Sequence, residues 1–134
     1  MDPHAAASAY RQESIENAPP VKIVRLLYQG ALRFLDQAAQ CDPGDPTSRF
    51  VHCVGRADAI VTELRLALER DQAPEISANL EQLYLYVESL LQRALVERSA
   101  DQLPAARAVL VTLLEAWSKV ELSTAAEASR RGAA

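Results

Sequence analysis

Two cysteines and a histidine are the first residues in this chain whose chemistry could define a site. Cys41, His52 and Cys53 carry sulfur and nitrogen donors of the kind that bind zinc. Neighbouring residues on a helix point about 100° apart, however, and the sequence suggests no fourth ligand. We therefore interpret Cys53 as a packed thiol and His52 as a surface residue, and we predict no metal ion and no cofactor.

Carboxylates and short catalytic motifs are the next candidates for chemistry. Glu63 and Glu69 fall on predicted polar faces, where solvated charge is the ordinary explanation. A di-iron bundle needs Glu-x-x-His pairs, but the only histidines, His4 and His52, do not form them. Neither a Gly-x-Ser-x-Gly motif nor a phosphate-binding loop occurs, and the chain has four glycines in all. The sequence predicts that the protein is not an enzyme.

The composition limits the kinds of molecule that this protein could bind. Hydrophobic residues make up 49% of the 134 residues and aromatic residues only 5%, which favours helices packed through Leu, Val and Ala. The formal net charge is −4 and no face collects a run of Lys and Arg, which argues against nucleic acid. No signal peptide and no apolar run of about 20 residues is evident, so we predict a cytoplasmic protein without membrane insertion.

Four amphipathic stretches separated by helix breakers must position any site. Proline near each start and clusters such as Cys41–Pro46 between them mark the ends. The predicted helices begin at Pro19 or Pro20, at Asp45, Pro46 or Thr47, at Pro74 or Glu75, and near Asp101 or Pro104; the first ends near Gln40 and the last near residue 122. Short connections make consecutive helices antiparallel neighbours. We predict an all-α protein: an antiparallel up-down-up-down four-helix bundle over residues 18–122, with a mobile arm at 1–17 and a disordered tail at 123–134.

The first helix has more apolar surface than one neighbour can cover. Its apolar residues fill an arc of about 200°, whereas an ordinary surface helix has a stripe of about 100°. This helix either lies at the centre of the bundle or keeps an apolar groove for a partner. Leu27 and Tyr28 lie on that arc, and for each of them both interpretations, core packing and partner groove, are open.

Several segments resemble the FliS family, the cytosolic export chaperones of flagellin, and they occur in the same order along the chain. Ala9-Tyr-Arg-Gln-Glu-Ser-Ile15 is similar to the family's opening motif, and the run from Ala18 through Leu-Tyr-Gln-Gly-Ala-Leu32 resembles its first-helix signature. Further similar segments are Ala57–Leu64, Ile76–Tyr86 and Leu113–Trp117. Gln29 stands where the family usually has Asp, and Ala73-Pro74 replaces Gly-Gly; neither change removes an apolar surface.

The resemblance implies a chaperone that binds the disordered C-terminal segment of flagellin, prevents its premature polymerisation and supports delivery to the flagellar type III export apparatus. An export-gate component and other flagellar regulators are further partners that it suggests. Within this interpretation the candidate partner-binding residues are Tyr10, Ile15, Leu27, Tyr28, Leu66, Leu85 and Tyr86. The alternative is a helical scaffold or adaptor that self-associates, as a homodimer, through the apolar lines opposite the core without preferring flagellin.

Overall fold

The computed structural model describes residues 2–7, 21–71 and 73–133, and within these ranges the long elements are all helices. They are α1 (Val21–Ala39), α2 (Phe50–Leu66), α3 (Pro74–Glu97) and α4 (Leu103–Ala133). The all-helical class predicted from the sequence is confirmed. No helix among these residues combines the length and apolar character needed to cross a membrane.

Most helix ends follow the local signals. Pro74 lies in the first turn of α3, where its missing N–H has no helical acceptor to lose. Arg98 ends the same helix in the left-handed region, with φ of 50°, and its N–H donates to the Ala94 carbonyl. The start of α2 was predicted too early, because Asp45 closes a separate turn by accepting hydrogen bonds from Thr47 N and Oγ1 at 2.8 and 2.7 Å.

Each long helix packs against two others. α1 contacts α2 and α4, and α3 contacts the same two helices. Residue numbers run in opposite directions across three of these contacts. The pairs that show this are Gln37–Cys53 and Gly30–Ile60 between α1 and α2, Asp58–Gln92 and Arg65–Glu88 between α2 and α3, and Asp36–Arg107 and Tyr28–Trp117 between α1 and α4.

Small and branched aliphatic side chains fill most of the core. Alanine allows close approach of the helices. A Cβ on Gly30 would lie 3.5 Å from Ile60 Cδ1, in ordinary contact, so the packing at this position does not require glycine. The buried apolar residues of the four helices are Val24, Tyr28, Ala31, Leu32, Leu35, Ala38, Phe50, Cys53, Val54, Ala57, Val61, Leu64, Leu80, Tyr84, Val87, Leu91, Ala94, Leu103, Ala106, Leu110, Leu113, Ala116, Trp117 and Val120.

The two ends of the chain differ from what the sequence predicts. Residues 3–7 are helical, and Ala6 and Ala7 are fully buried with the core, although the whole of 1–17 was predicted to be a mobile arm; residues 8–17 lie outside the described ranges. α4 continues to Ala133, eleven residues beyond the predicted end at 122. Its last turns are rich in alanine, the best helix former, and carry Arg130 and Arg131 at the negative helix end.

Candidate partner-binding surface

The core between the helices holds a hydrogen-bonded cluster of three aromatic residues, here called the aromatic cluster: Tyr28 of α1, Tyr84 of α3 and Trp117 of α4. The Tyr28 and Tyr84 hydroxyl oxygens are 2.5 Å apart, and Trp117 Nε1 donates to Tyr28 Oη at 3.1 Å. Burial raises the pKa of Tyr28 well above its ordinary value, the neighbouring Tyr84 raises it further, and the bond from Trp117 only partly opposes this. Tyr28 therefore stays neutral and ties three helices together.

This position settles the divided interpretation of Tyr28. Its side chain has no exposed surface, so it lies in the core and does not offer a contact to a partner. Leu27, the next residue, is half-buried and lines a small apolar cleft. The other lining residues come from all four helices and the α2–α3 connection: Val24, Leu64, Ala67, Leu68, Tyr84 and Trp117. The cleft volume of about 30 Å³ accepts the tip of one side chain and not a helix.

Helix α1 is not enclosed by its neighbours. Ile23 and Leu26 in its first half are 49% and 48% exposed. Ile23, Leu27, Gly30 and Phe34 recur at steps of four and three, so they share one line of the helix. Gly30 and Phe34 contact α2, and this line therefore borders what we call the α1–α2 groove. Its opposite border is formed by His52, Arg56 and Ile60 of α2.

A second apolar surface, the α2–α3 face, lies on the outside of these two helices and includes Leu66 and Leu85, with Tyr86 about 100° further around α3. Their side chains are 66%, 39% and 49% exposed. Three turns before Leu66 on α2, Gly55 has open space where a Cβ would lie. All three were predicted as candidate partner-binding residues, and the structure places all three at the surface, two of them next to polar contacts between the helices.

Those polar contacts set the register of α2 against α3. Arg65 donates to Glu88 through Nε at 2.7 Å and Nη2 at 3.1 Å, and Thr62 Oγ1 donates to the same carboxylate at 2.6 Å. Burial raises the pKa of Glu88, but the hydrogen bonds from Arg65 and Thr62 and the Arg65 charge outweigh it, so the pKa is lowered overall. One turn away, Gln92 Nε2 donates to Asp58 Oδ2 at 2.7 Å.

Replacing Glu88 by Gln is expected to lower the free energy of unfolding by about 1–2 kcal/mol at pH 7, because a carboxylate that accepts three hydrogen bonds at a partly buried site becomes a neutral amide. Since the folded pKa of Glu88 is lowered, its stabilisation is present above the pKa of the unfolded chain and disappears as the pH falls through the folded value. Urea unfolding at pH 7 and at acid pH measures both effects. Glu127→Gln breaks a 3.9 Å surface pair instead and should change nothing measurable; an equal loss in both variants would contradict the prediction.

Some surface residues were missed from the sequence, and others cannot be placed. Ile23 and Leu26 were not among the candidates, although Leu26 interrupts the polar line of Lys22, Gln29 and Arg33, and that interruption was the available signal. Val51 and Leu122 are also large exposed apolar residues outside the predicted set, whereas Val96 lies on the apolar line of Leu85 that the sequence offered for self-association. Tyr10 and Ile15 lie outside the described residues.

Cys53 and His52 agree with their interpretation as a packed thiol and a surface residue. Cys53 is buried, with Sγ 3.6 Å from Gln37 Oε1, and Cys41 Sγ donates to the Gln37 carbonyl at 3.3 Å. His52 is exposed and meets the edge of Phe34. Within the described ranges, His, Cys, Asp and Glu nowhere form a group of three or more that could hold a metal ion.

Comparisons with known proteins extend over almost the whole chain. The family model described as flagellar protein FliS matches residues 3–124. The flagellar secretion chaperone FliS of Campylobacter jejuni is 32% identical over 120 residues, which cover 90% of this chain and 94% of that protein. The protein of the same name from Bacillus subtilis is 29% identical over 112 residues, covering 84% and 83% of the two chains. The chaperone FliSB of Pseudomonas aeruginosa is 29% identical over 119 residues, covering 86% and 94%.

Proposed function

Because this chain belongs to the FliS family of flagellar proteins, we propose that it binds the C-terminal segment of flagellin and prevents premature polymerisation before export. The family consists of chaperones and not enzymes, so the protein acts by binding. The observation that carries the proposal is the pair of apolar surfaces that the four helices leave uncovered, at Ile23 and Leu26 and at Leu66 and Leu85.

The proposed binding follows from the chemistry of those surfaces. An amphipathic segment that is disordered before assembly exposes apolar side chains that would otherwise associate with other copies. Leucine and isoleucine side chains along helix grooves can cover such positions while the segment becomes helical on contact. Since ordering the segment costs entropy, the interface must be wide and must extend over several helices.

The arrangement that best presents these surfaces is an antiparallel up-down-up-down four-helix bundle. The opposite residue order across three helix contacts supports it, as do the short connections. In this arrangement α2 has one outer border on the α1–α2 groove and the other on the α2–α3 face. A segment wrapped around α2 would contact Leu27 on one side and Leu66, Leu85 and Tyr86 on the other. Tyr10 and Ile15 are proposed as further contacts.

The cellular setting is part of the same proposal. The protein would act in the cytoplasm, hold flagellin unassembled and support its delivery to the flagellar type III export apparatus. The relatives from three bacteria are named secretion chaperones, which supports this setting.

Calorimetric titration of the full chain with a peptide of the flagellin C-terminal segment tests the proposal. We expect a complex with one peptide per chain, a negative heat-capacity change from apolar burial, and a gain in helical circular dichroism as the peptide orders. A peptide with the same residues in scrambled order is the control. Equal binding of both peptides, or binding of neither, would contradict the proposal, and a dimer in light scattering without any peptide preference would favour the self-associating scaffold.

A further inference from the structure

The end of the α1–α2 groove near Phe34 differs in charge from the apolar surfaces described above. Phe34 of α1 is half-buried, and two residues of α2 lie against it. The Arg56 guanidinium carbon is 5.9 Å from the centre of the Phe34 ring, and the His52 ring meets it edge-on with centroids 6.3 Å apart. A cation over the face of an aromatic ring is held there by electrostatic attraction.

A second arginine covers the same groove from the α1 side. Arg33 is an exposed residue. Its guanidinium reaches back along the helix, where Nη2 would lie 3.8 Å from a Cβ on Gly30. Ile60 Cδ1 of α2 would lie 3.5 Å from the same point. Arg33 and Arg56 therefore flank an apolar floor made by Phe34 and Ile60.

These arginines have no carboxylate partner within ion-pair distance among the residues that the structure describes. Arg65, Arg70, Arg93 and Arg107 each have one, whereas Arg33, Arg49 and Arg56 do not. Arg49 occupies the N-cap of α2, whose first turn contains no acidic residue, so the positive end of that helix adds to the local charge. The nearest acid along the same helix, Asp58, lies on the α3 side of α2, where Gln92 Nε2 donates to it at 2.7 Å. The next acid, Glu63, is seven residues beyond Arg56, about 10 Å along the helix. Uncompensated positive charge thus collects here in a chain of net charge −4.

We propose that this basic end of the α1–α2 groove, defined by Arg33, Phe34, Arg56 and Ile60, binds an acidic amphipathic helix of a second protein, separate from the flagellin segment. The two guanidinium groups hold carboxylates on both flanks of the helix, in the fork geometry that arginine offers. One leucine-sized side chain of the helix packs on Phe34 and Ile60. A nucleic acid would meet the same charges but would leave this apolar floor unused, so the helix fits better.

The position of the site keeps it separate from the surfaces proposed to bind flagellin. Along α1, Phe34 is eleven residues from Ile23, about 16 Å, and seven residues from Leu27, about 10 Å. The α2–α3 face lies on the other border of α2, as the contacts of Arg65 with Glu88 and of Arg56 with Phe34 show. A chaperone with two such sites can hold its client and bind a second protein at the same time.

A synthetic helical peptide of about 14 residues, with leucine along one face and glutamate on both flanks, tests the proposal by fluorescence anisotropy against the full chain. We expect binding that weakens steeply with added salt, and at least about a tenfold loss of affinity in the double variant Arg33→Glu/Arg56→Glu. Arg130→Glu/Arg131→Glu changes the net charge equally in the last turn of α4 and should alter the affinity less than about twofold. Circular dichroism and thermal unfolding of both variants verify that the fold is retained.

Three results would overturn the inference. They are no binding to the wild-type chain, equal binding of the same peptide with glutamine in place of glutamate, and equal losses in the two double variants. Titration of each variant with the flagellin peptide separates this proposal from the function proposed above. Unchanged flagellin binding in Arg33→Glu/Arg56→Glu is the expected result, and displacement of one peptide by the other would show that the site is not separate.

Discussion

Replacement of Tyr28 by alanine is expected to lower the free energy of unfolding by about 3–5 kcal/mol, the cost of removing a large aromatic side chain from a closely packed core. The loss has two parts. A cavity opens where α1, α3 and α4 meet, and Trp117 Nε1 loses the acceptor to which it donates at 3.1 Å. A domain of this size has only about 5–15 kcal/mol of stability in total, so the variant should be visibly destabilised at room temperature.

Tyr28→Phe separates the two parts, because it keeps the ring and removes the hydroxyl that accepts from Trp117 and pairs with Tyr84. We expect a smaller loss of about 1–3 kcal/mol. Urea unfolding is followed conveniently through Trp117, the single tryptophan of the chain.

Tyr86→Ala is the matched control for the Tyr28 variants. It removes the same side chain from a position that is 49% exposed on α3, and it should cost less than about 1 kcal/mol. Similar losses for Tyr28→Ala and Tyr86→Ala would contradict the assignment of Tyr28 to the core.

Replacement of Leu66 by glutamate is expected to weaken binding of the flagellin C-terminal peptide by at least about tenfold. A charged group placed within an apolar contact must be desolvated without a partner, and single central residues often carry this much of an interface. Leu85→Glu should act in the same direction, because Leu85 lies on the same face beside Glu88. Helical circular dichroism should be unchanged for Leu66→Glu, since the side chain is 66% exposed.

Leu122→Glu provides a control of nearly equal exposure. Leu122 is 71% exposed on α4, which does not border the α2–α3 face, so this variant should bind the peptide as the wild-type chain does. Calorimetric titration measures all three variants. If Leu66→Glu and Leu122→Glu weakened binding equally, or neither did, the α2–α3 face would not be the flagellin contact.

The partly buried polar contacts between α2 and α3 explain how an apolar face can be kept ready for a partner. Glu88 is held by Arg65 and Thr62 within 3.1 Å, and the bidentate arginine fixes both helices at one level. Leu66 directly follows Arg65, and Leu85 lies one turn before Glu88. The polar contacts therefore hold the two leucines at a set spacing whether or not a partner is bound.

The sequence by itself determined the helical class, the start of α3 and the family. These rest on signals within a few residues of one another: the apolar period of each helix, the proline at residue 74, and short motifs such as Leu27-Tyr28 that match in order along the chain. Local signals failed at Asp45, where a side-chain turn replaced the expected helix start, and beyond Leu122, where alanine kept α4 helical without packing that the sequence could reveal.

Only the tertiary structure decided which apolar residues are hidden. Tyr28 and Leu66 both looked like candidates for a partner, yet Tyr28 bonds to Tyr84 and Trp117, which are 56 and 89 residues away, while Leu66 has most of its surface exposed. The same holds for the basic end of the α1–α2 groove, where Arg33 of α1 lies near Gly30 and Arg56 of α2 lies over the Phe34 ring. Helical periodicity places a residue on a face, but the neighbours that cover that face are chosen by packing between distant segments.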